Sequence, residues 1–235
     1  MESNRQDTKY LLRNNPLSLL INPKSWFSVL TVFFNVVWMR LKYVKESVYY
    51  SEASIDSICE KIGEPLGDVF SLMKCQSKDL HFLTNFRTGK LGDTNSIARL
   101  FNNRFKRYNQ CFVLLVNGTP SSFLWTASRA VLIETTNFLY KLNDNCVAIY
   151  DVYTDPIFRK KGCYRKLLYL VLHEYKKAGF TYAGLWVMKH NYNAIKVQDS
   201  CGFSTISKEI SYSTFIGFKR NNVRKVNYHM SDLLS

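Results

Sequence analysis

The chain has 235 residues, 46% hydrophobic and 15% aromatic, which suits one domain with an extension or two small ones and excludes a disordered protein. Its net charge of +14 selects anionic partners, among which coenzyme A phosphates, a nucleotide-linked sugar, an acidic lipid surface and nucleic acid all qualify. Six scattered cysteines, with no close pair in sequence and no histidine at metal spacing, argue against a disulfide framework or a structural metal and for reduced, cytoplasmic thiols.

Met1 to Pro23 starts with charge and lacks a small-residue cleavage site, which argues against a secretory signal. Residues 26–39, WFSVLTVFFNVVWM, carry no charge and are followed by Arg40, Lys42 and Lys45. A spanning helix needs about 20 apolar residues, and extension backwards meets Lys24 and Pro23, so a transmembrane span is disfavoured. Peripheral membrane contact through residues 26–45 fits the terminal tryptophans and basic flank. Packing of the stretch on the domain or on a partner subunit is the plainer alternative.

Ile55 to Ile62 reads as a helix stopped near Gly63 and Pro65. Leu80 to Thr84 is expected as a strand, and Ser96 to Tyr108 as a basic helix. Cys111–Val116 and Ser122–Ala127 are strands joined across Asn117-Gly118, a strong hairpin signal; Val131 to Ile133 would continue the second after a bulge. Asn143-Asp144-Asn145 turns into a central strand, Ala148 to Tyr153, rich in β-branched and aromatic residues and ended by Pro156. A helical stripe of Tyr164, Leu168, Leu172 and Tyr175 then runs to Gly179. Tyr182 to Met188 reads as a buried strand, Asn193 to Ser200 as a short helix closed by Gly202, and the alternating tail as two further strands.

The chemistry concentrates where the central strand hands over to its helix through Arg159-Lys160-Lys161-Gly162-Cys163-Tyr164. Such a turn aims free backbone N–H groups and the positive end of the helix dipole at one spot, flanked here by three cations, and suits a polyphosphate. The competing reading is a solvated helix start. Asp151 lies inside an otherwise apolar strand, where an unpaired carboxylate is costly. It is therefore either hydrogen-bonded structurally or facing a cleft.

Arg159 and Gly162, followed by Tyr164, and the later Asn191-Tyr192-Asn193-Ala194-Ile195 with Cys201-Gly202-Phe203, resemble the two signature segments of the GNAT acyl-CoA-dependent N-acyltransferase superfamily. The first ends in Gly-x-Tyr where the common pattern has Gly or Ala, a form familiar among relatives. The resemblance spans Ile149 to Phe203 and extends back to Leu80. It implies an α/β fold of the α+β type: a GNAT-like mixed, mostly antiparallel sheet flanked by helices over 79–235, with 1–78 as an N-terminal extension.

The resemblance further implies acetyl-CoA as acyl donor, no metal, and direct attack by a primary amine. The amides of Arg159 to Tyr164 would cradle the pyrophosphate, helped by the side chains of Arg159, Lys160 and Lys161, with Gly162 closest to phosphate and Cys163 opening the helix. Val152, Tyr153 and Thr154 would pair with the pantetheine arm and polarise the thioester carbonyl. Asn191 would bond the pantetheine or the acceptor, or merely make the turn. Asp151 is the first candidate for general base and His190 the second, with Glu134 and His173 behind them. Where relatives often place a proton-donating tyrosine this chain has Gln198. Tyr192 or Tyr164 would then serve, the thiolate would leave with solvent assistance, or activity is lost. Relatives with the Gly-x-Tyr form suggest an amino sugar or nucleotide-linked sugar of a surface-polysaccharide pathway as acceptor, nucleic acid not being expected as a partner. The alternatives are a non-enzymatic module for acidic lipid or nucleic acid, and acyl transfer from an aminoacyl-tRNA.

Overall fold

The computed structural model describes residue 31 and residues 44–64, 69–88, 94–134, 138–215 and 218–233. The apolar stretch 26–39 lies outside the described residues, residue 31 excepted. Two compact units divide the chain: Glu46–Ser211 with Asn221–Ser235, and Met1–Lys45 with Tyr212–Arg220. The first of these units holds the candidate site. No helix among the described residues is long and apolar enough to cross a membrane.

The strands are β1 (Val44–Ser54), β2 (Phe70–Cys75), β3 (Gln110–Val116), β4 (Thr119–Ala127), β5 (Ala130–Ile133), β6 (Phe138–Lys141), β7 (Cys146–Thr154), β8 (Tyr182–Met188), β9 (Thr205–Phe215) and β10 (Phe218–His229). The helices are α1 (Ile55–Ile62), α2 (Leu80–Thr88), α3 (Thr94–Lys106), α4 (Cys163–Lys177) and α5 (Tyr192–Ser200). Eight strands form one sheet in the order β10-β9-β1-β8-β7-β4-β3-β2. β7 and β8 run parallel, while β8 on β1, β4 on β7, β3 on β4 and β2 on β3 are antiparallel. This is the mixed, mostly antiparallel sheet that the resemblance implied. The resemblance put the domain's start at Asp79; β1 and β2 precede that residue and pair into the same sheet.

Alternation along the strands assigns each face its cover. Leu124, Val147, Ile149 and Leu185 point to the face packed by α1 and α4, where Leu168, Val171 and Leu172 are buried. On the opposite face Val113, Phe123 and Trp125 meet Leu83 of α2 and Phe101 of α3. Further along that face Val48, Tyr50 and Ala148 meet Val131, Ile133 and Tyr140 of the β5–β6 hairpin. Gly184 in β8 admits the ring of Tyr50, since a Cβ there would sit 2.6 Å from the Tyr50 hydroxyl.

Two expectations are corrected. Leu80 to Thr84 begins a helix, α2, and not a strand. Five residues are too few to separate the two periods; α2 follows directly on a 3-10 turn, Ser77–Asp79, closed by the reciprocal Gln76–Asp79 capping box. Val131 to Ile133 does not continue β4; it pairs with β6 in a separate two-stranded sheet, because Ser128-Arg129 breaks the strand and its apolar side chains cover the main sheet as a flap. Asn117-Gly118 makes the expected hairpin turn, both residues at positive φ (50° and 74°).

Candidate active site

The parallel β7–β8 ladder runs from Cys146↔Tyr182 to Ile149↔Leu185 and stops. Beyond it β7 stays with β4, through Tyr153↔Phe123 and Thr154↔Ser122. β8 stays with β1, through Trp186↔Tyr50 and Met188↔Val48. The sheet therefore parts along one line, leaving one edge of residues 150–154 without a strand partner. That edge holds Val152, Tyr153 and Thr154.

A bulge shapes the strand at the opening. Two residues of β7, Asp151 and Val152, oppose the single Leu124 of β4, with Asp151 in the left-handed region at φ 44°. Aspartate tolerates that conformation better than most side chains. Because the bulge breaks the alternation, neighbours Tyr150 and Asp151 both line one cavity of about 390 Å³. Leu100 and Phe101 of α3, Ile133 of β5, and Trp186 and Met188 of β8 supply apolar wall. Arg87, Arg104, Glu134 and Asp151 are the charged residues of the lining.

Arg104 organises those charges. It is 2% exposed and carries both carboxylates: Nε and Nη2 donate to the two oxygens of Glu134 at 2.9 and 2.5 Å, and Nη1 donates to Asp151 Oδ2. Its guanidinium lies 5.1–5.5 Å from the ring centres of Phe101, Trp125 and Tyr150. Burial works against its charge, but the hydrogen bonds to Glu134 and the charge of Asp151 outweigh it and push its pKa up. The Tyr150 hydroxyl accepts from Asn109 Nδ2 at 2.5 Å, and burial pushes its pKa up. Asp151 is thus both paired and in the cavity wall; no described residue donates to its Oδ1. Nothing in the sequence sets Glu134 beside Asp151, since the β5–β6 flap that brings it there reads as a continuation of β4.

The loop after β7 turns on a 3-10 helix, Pro156–Phe158, whose first amide partner is the Asp155 side chain (Ile157 N–H, 2.9 Å). Lys160 (φ 62°) and Gly162 (φ 75°) are both left-handed, a conformation that gathers successive N–H groups into a concavity. α4 then runs fifteen residues from Cys163 without a side-chain cap. No described residue accepts a hydrogen bond of normal geometry from the amides of Lys161, Gly162, Cys163 or Tyr164. Nothing lies within 4 Å of a Cβ placed at Gly162, so the protein requires this glycine for its φ and not for room. Arg159 folds back, its Nε donating to Thr154 O at 3.1 Å, and Lys161 lies over the Phe158 ring.

The remaining expected residues are more dispersed. Asn191 caps α5 by accepting from Ala194 N–H at 3.2 Å. His190 and Tyr192 are exposed beyond the end of β8, and His173 stacks on Tyr169 on α4. Tyr164 packs against the core under α4; burial pushes its pKa up, so its phenol keeps its proton at neutral pH. Gln198 Oε1 is buried with no donor among the described residues. Those residues contain no group of three or more His, Cys, Asp or Glu able to hold a metal ion.

No curated protein matches the chain. Among solved structures, a possible acetyltransferase from Clostridium difficile 630 is 18% identical, covering 57% of this chain and 89% of that one, at a TM-score of 0.42. A putative acetyltransferase from Salmonella typhimurium, solved with acetyl-CoA, is 17% identical, covering 60% and 83%, at 0.43. A conserved protein of unknown function from Staphylococcus epidermidis ATCC 12228 is 12% identical, covering 84% and 68%, at 0.48. The family model described as Acetyltransferase (GNAT) family matches residues 81–203, more than half of the chain. With both signature segments inside that match, the chain belongs to the GNAT family of acetyltransferases, whose reaction is acyl transfer from acetyl-CoA to an amine.

Proposed function

We propose that the parted strands receive acetyl-CoA and that the acceptor amine enters from the cavity beside Asp151. The observation that carries this reading is the end of the β7–β8 ladder at Ile149/Leu185, next to a helix start whose leading amides have no acceptor among the described residues. The pyrophosphate sits on the amides of Lys161 to Tyr164, with Lys160 and Lys161 adding charge and Arg159 bracing the turn through Thr154. The pantetheine arm lies along the free edge of Val152 to Thr154, and an amide there donates to the thioester oxygen.

The amine nitrogen attacks the thioester carbon, the oxyanion forms against that amide, and the C–S bond breaks on collapse. Asp151 accepts the ammonium proton through Oδ1, directly or through one water, while Arg104 fixes the carboxylate through Oδ2. The proton then passes from Asp151 to solvent. Gln198 has no acidic proton for the leaving thiolate; Tyr164, still protonated, or water supplies it. Asn191 caps α5 and Tyr192 opens it just past the end of β8, where His190 is also exposed.

The donor and six free cysteines support a cytoplasmic place for the reaction. The terminal tryptophans and basic flank of residues 26–45 support peripheral membrane contact, and the Gly-x-Tyr resemblance is what speaks for a surface-polysaccharide sugar as acceptor. Acetyl-CoA at about 100 times its Kd should stabilise the protein by roughly 2.7 kcal/mol, a rise in Tm of several degrees. Gly162→Glu should abolish the shift. No shift with any acyl-CoA would overturn the reading.

A further inference from the structure

The acceptor cavity differs from one built for a sugar. Besides its four charged residues, its described lining contains no Ser, Thr, Asn or Gln. The one hydroxyl in the wall, on Tyr150, already accepts from Asn109. Ile97, Leu100 and Phe101 form one apolar side, Val131 and Ile133 another, with Trp186 and Met188 from β8. Among the described residues a polyhydroxylated amine would find as neutral partners only the Tyr150 O–H and the Trp186 Nε1–H, so hydroxyls beyond those and the charged cluster would lie against apolar wall, at a cost in affinity. An alkyl or aryl chain would find the wall it needs.

The charges fit the other end of such a molecule. Glu134 and Asp151 share Arg104, so this trio carries one net negative charge; Arg87, the other cation of the lining, lies over the Tyr153 ring and is paired with neither carboxylate among the ion pairs of the described residues. A primary ammonium is its natural complement. Resting on the acetyl-transfer reading above, we infer that the acceptor is a primary amine on an apolar body, an alkylamine or arylalkylamine, with its nitrogen at the Asp151–Glu134 pair and its hydrocarbon against α3 and the β5–β6 flap.

The test uses the full chain and acetyl-CoA, with n-butylamine to n-octylamine, phenethylamine and glucosamine as acceptors, and reads thiol release. kcat/KM should rise about fourfold per added methylene until the cavity fills, following the transfer free energy of a buried CH₂. Phenethylamine should exceed glucosamine by at least tenfold. Leu100→Ser should flatten the alkyl series while leaving the acetyl-CoA thermal shift in place, since Leu100 lines the acceptor cavity and lies apart from the loop before α4 on which the diphosphate is proposed to sit. Binding of acetyl-CoA is measured separately by that shift. If it fails, the acetyl-transfer reading fails. If acetyl-CoA binds but the alkyl series is flat, no apolar amine is acetylated, or glucosamine is the better acceptor, the inference about the acceptor is wrong while the donor site stands.

Discussion

Replacing Arg104 by methionine keeps much of the side-chain volume and removes the charge that three hydrogen bonds surround. Breaking a buried ion pair by deleting one partner costs about 3–5 kcal/mol. Here the side chains of Asp151 and Glu134 remain 22% and 31% exposed, so water recovers part of that and the loss becomes roughly 2–4 kcal/mol. In a unit of this size that is a fall in Tm of about 5–15 °C. The variant also leaves two carboxylates facing each other without a cation. Its folded state then takes up a proton more readily than its unfolded state, so its stability relative to the parent improves as pH falls. Urea unfolding of both proteins at pH 7.5 and pH 5 measures this; the gap should narrow by about 1 kcal/mol at the lower pH. A penalty below about 1 kcal/mol at pH 7.5, or one that widens towards pH 5, would refute the assignment of Arg104 as the cation shared by both acids.

Asp151→Asn keeps the shape at the bulge and removes the base; kcat should fall by about 10²-fold or more, with the acetyl-CoA thermal shift unchanged. Equal kcat would remove Asp151 from the proton path. Gly162→Ala should cost about 1–2 kcal/mol from its left-handed φ and weaken acetyl-CoA binding by calorimetry; an unchanged Kd would show that the loop conformation is not the donor's cradle. Gly184→Ala should destabilise the fold by about 1–3 kcal/mol in urea because its Cβ meets the Tyr50 ring, and a neutral result would mean that ring can shift freely.

The proposed donor side is readable in the sequence because its signals are local. A β-rich run, a proline, a basic turn with one glycine and a helical stripe fall within some thirty residues, and each retains that role in the structure. The proposed acceptor side is not, because long-range contacts make it. Arg104, Glu134 and Asp151 lie on α3, at the end of β5 and on β7, and no spacing in sequence announces their meeting. The bulge at Asp151 is hidden as well, since a one-residue slip leaves the composition of a strand unchanged. Reading Leu80 to Thr84 as a strand removes half of the α2–α3 layer from view. The pair Gln76 and Asp79, three residues apart just ahead of it, closes the 3-10 turn that leads into the helix and is the local signal of a helical start there.

The diphosphate of an acyl-CoA resting on the start of α4, with its thioester arm along β7, is the placement on which the proposed chemistry depends. Amide NMR of the labelled protein titrated with acetyl-CoA reads both halves at once. Saturable shifts are expected at Lys161, Gly162, Cys163 and Tyr164 together with Val152, Tyr153 and Thr154. Shifts confined to other surfaces, or titration of the helix start with no response along β7, would contradict that placement.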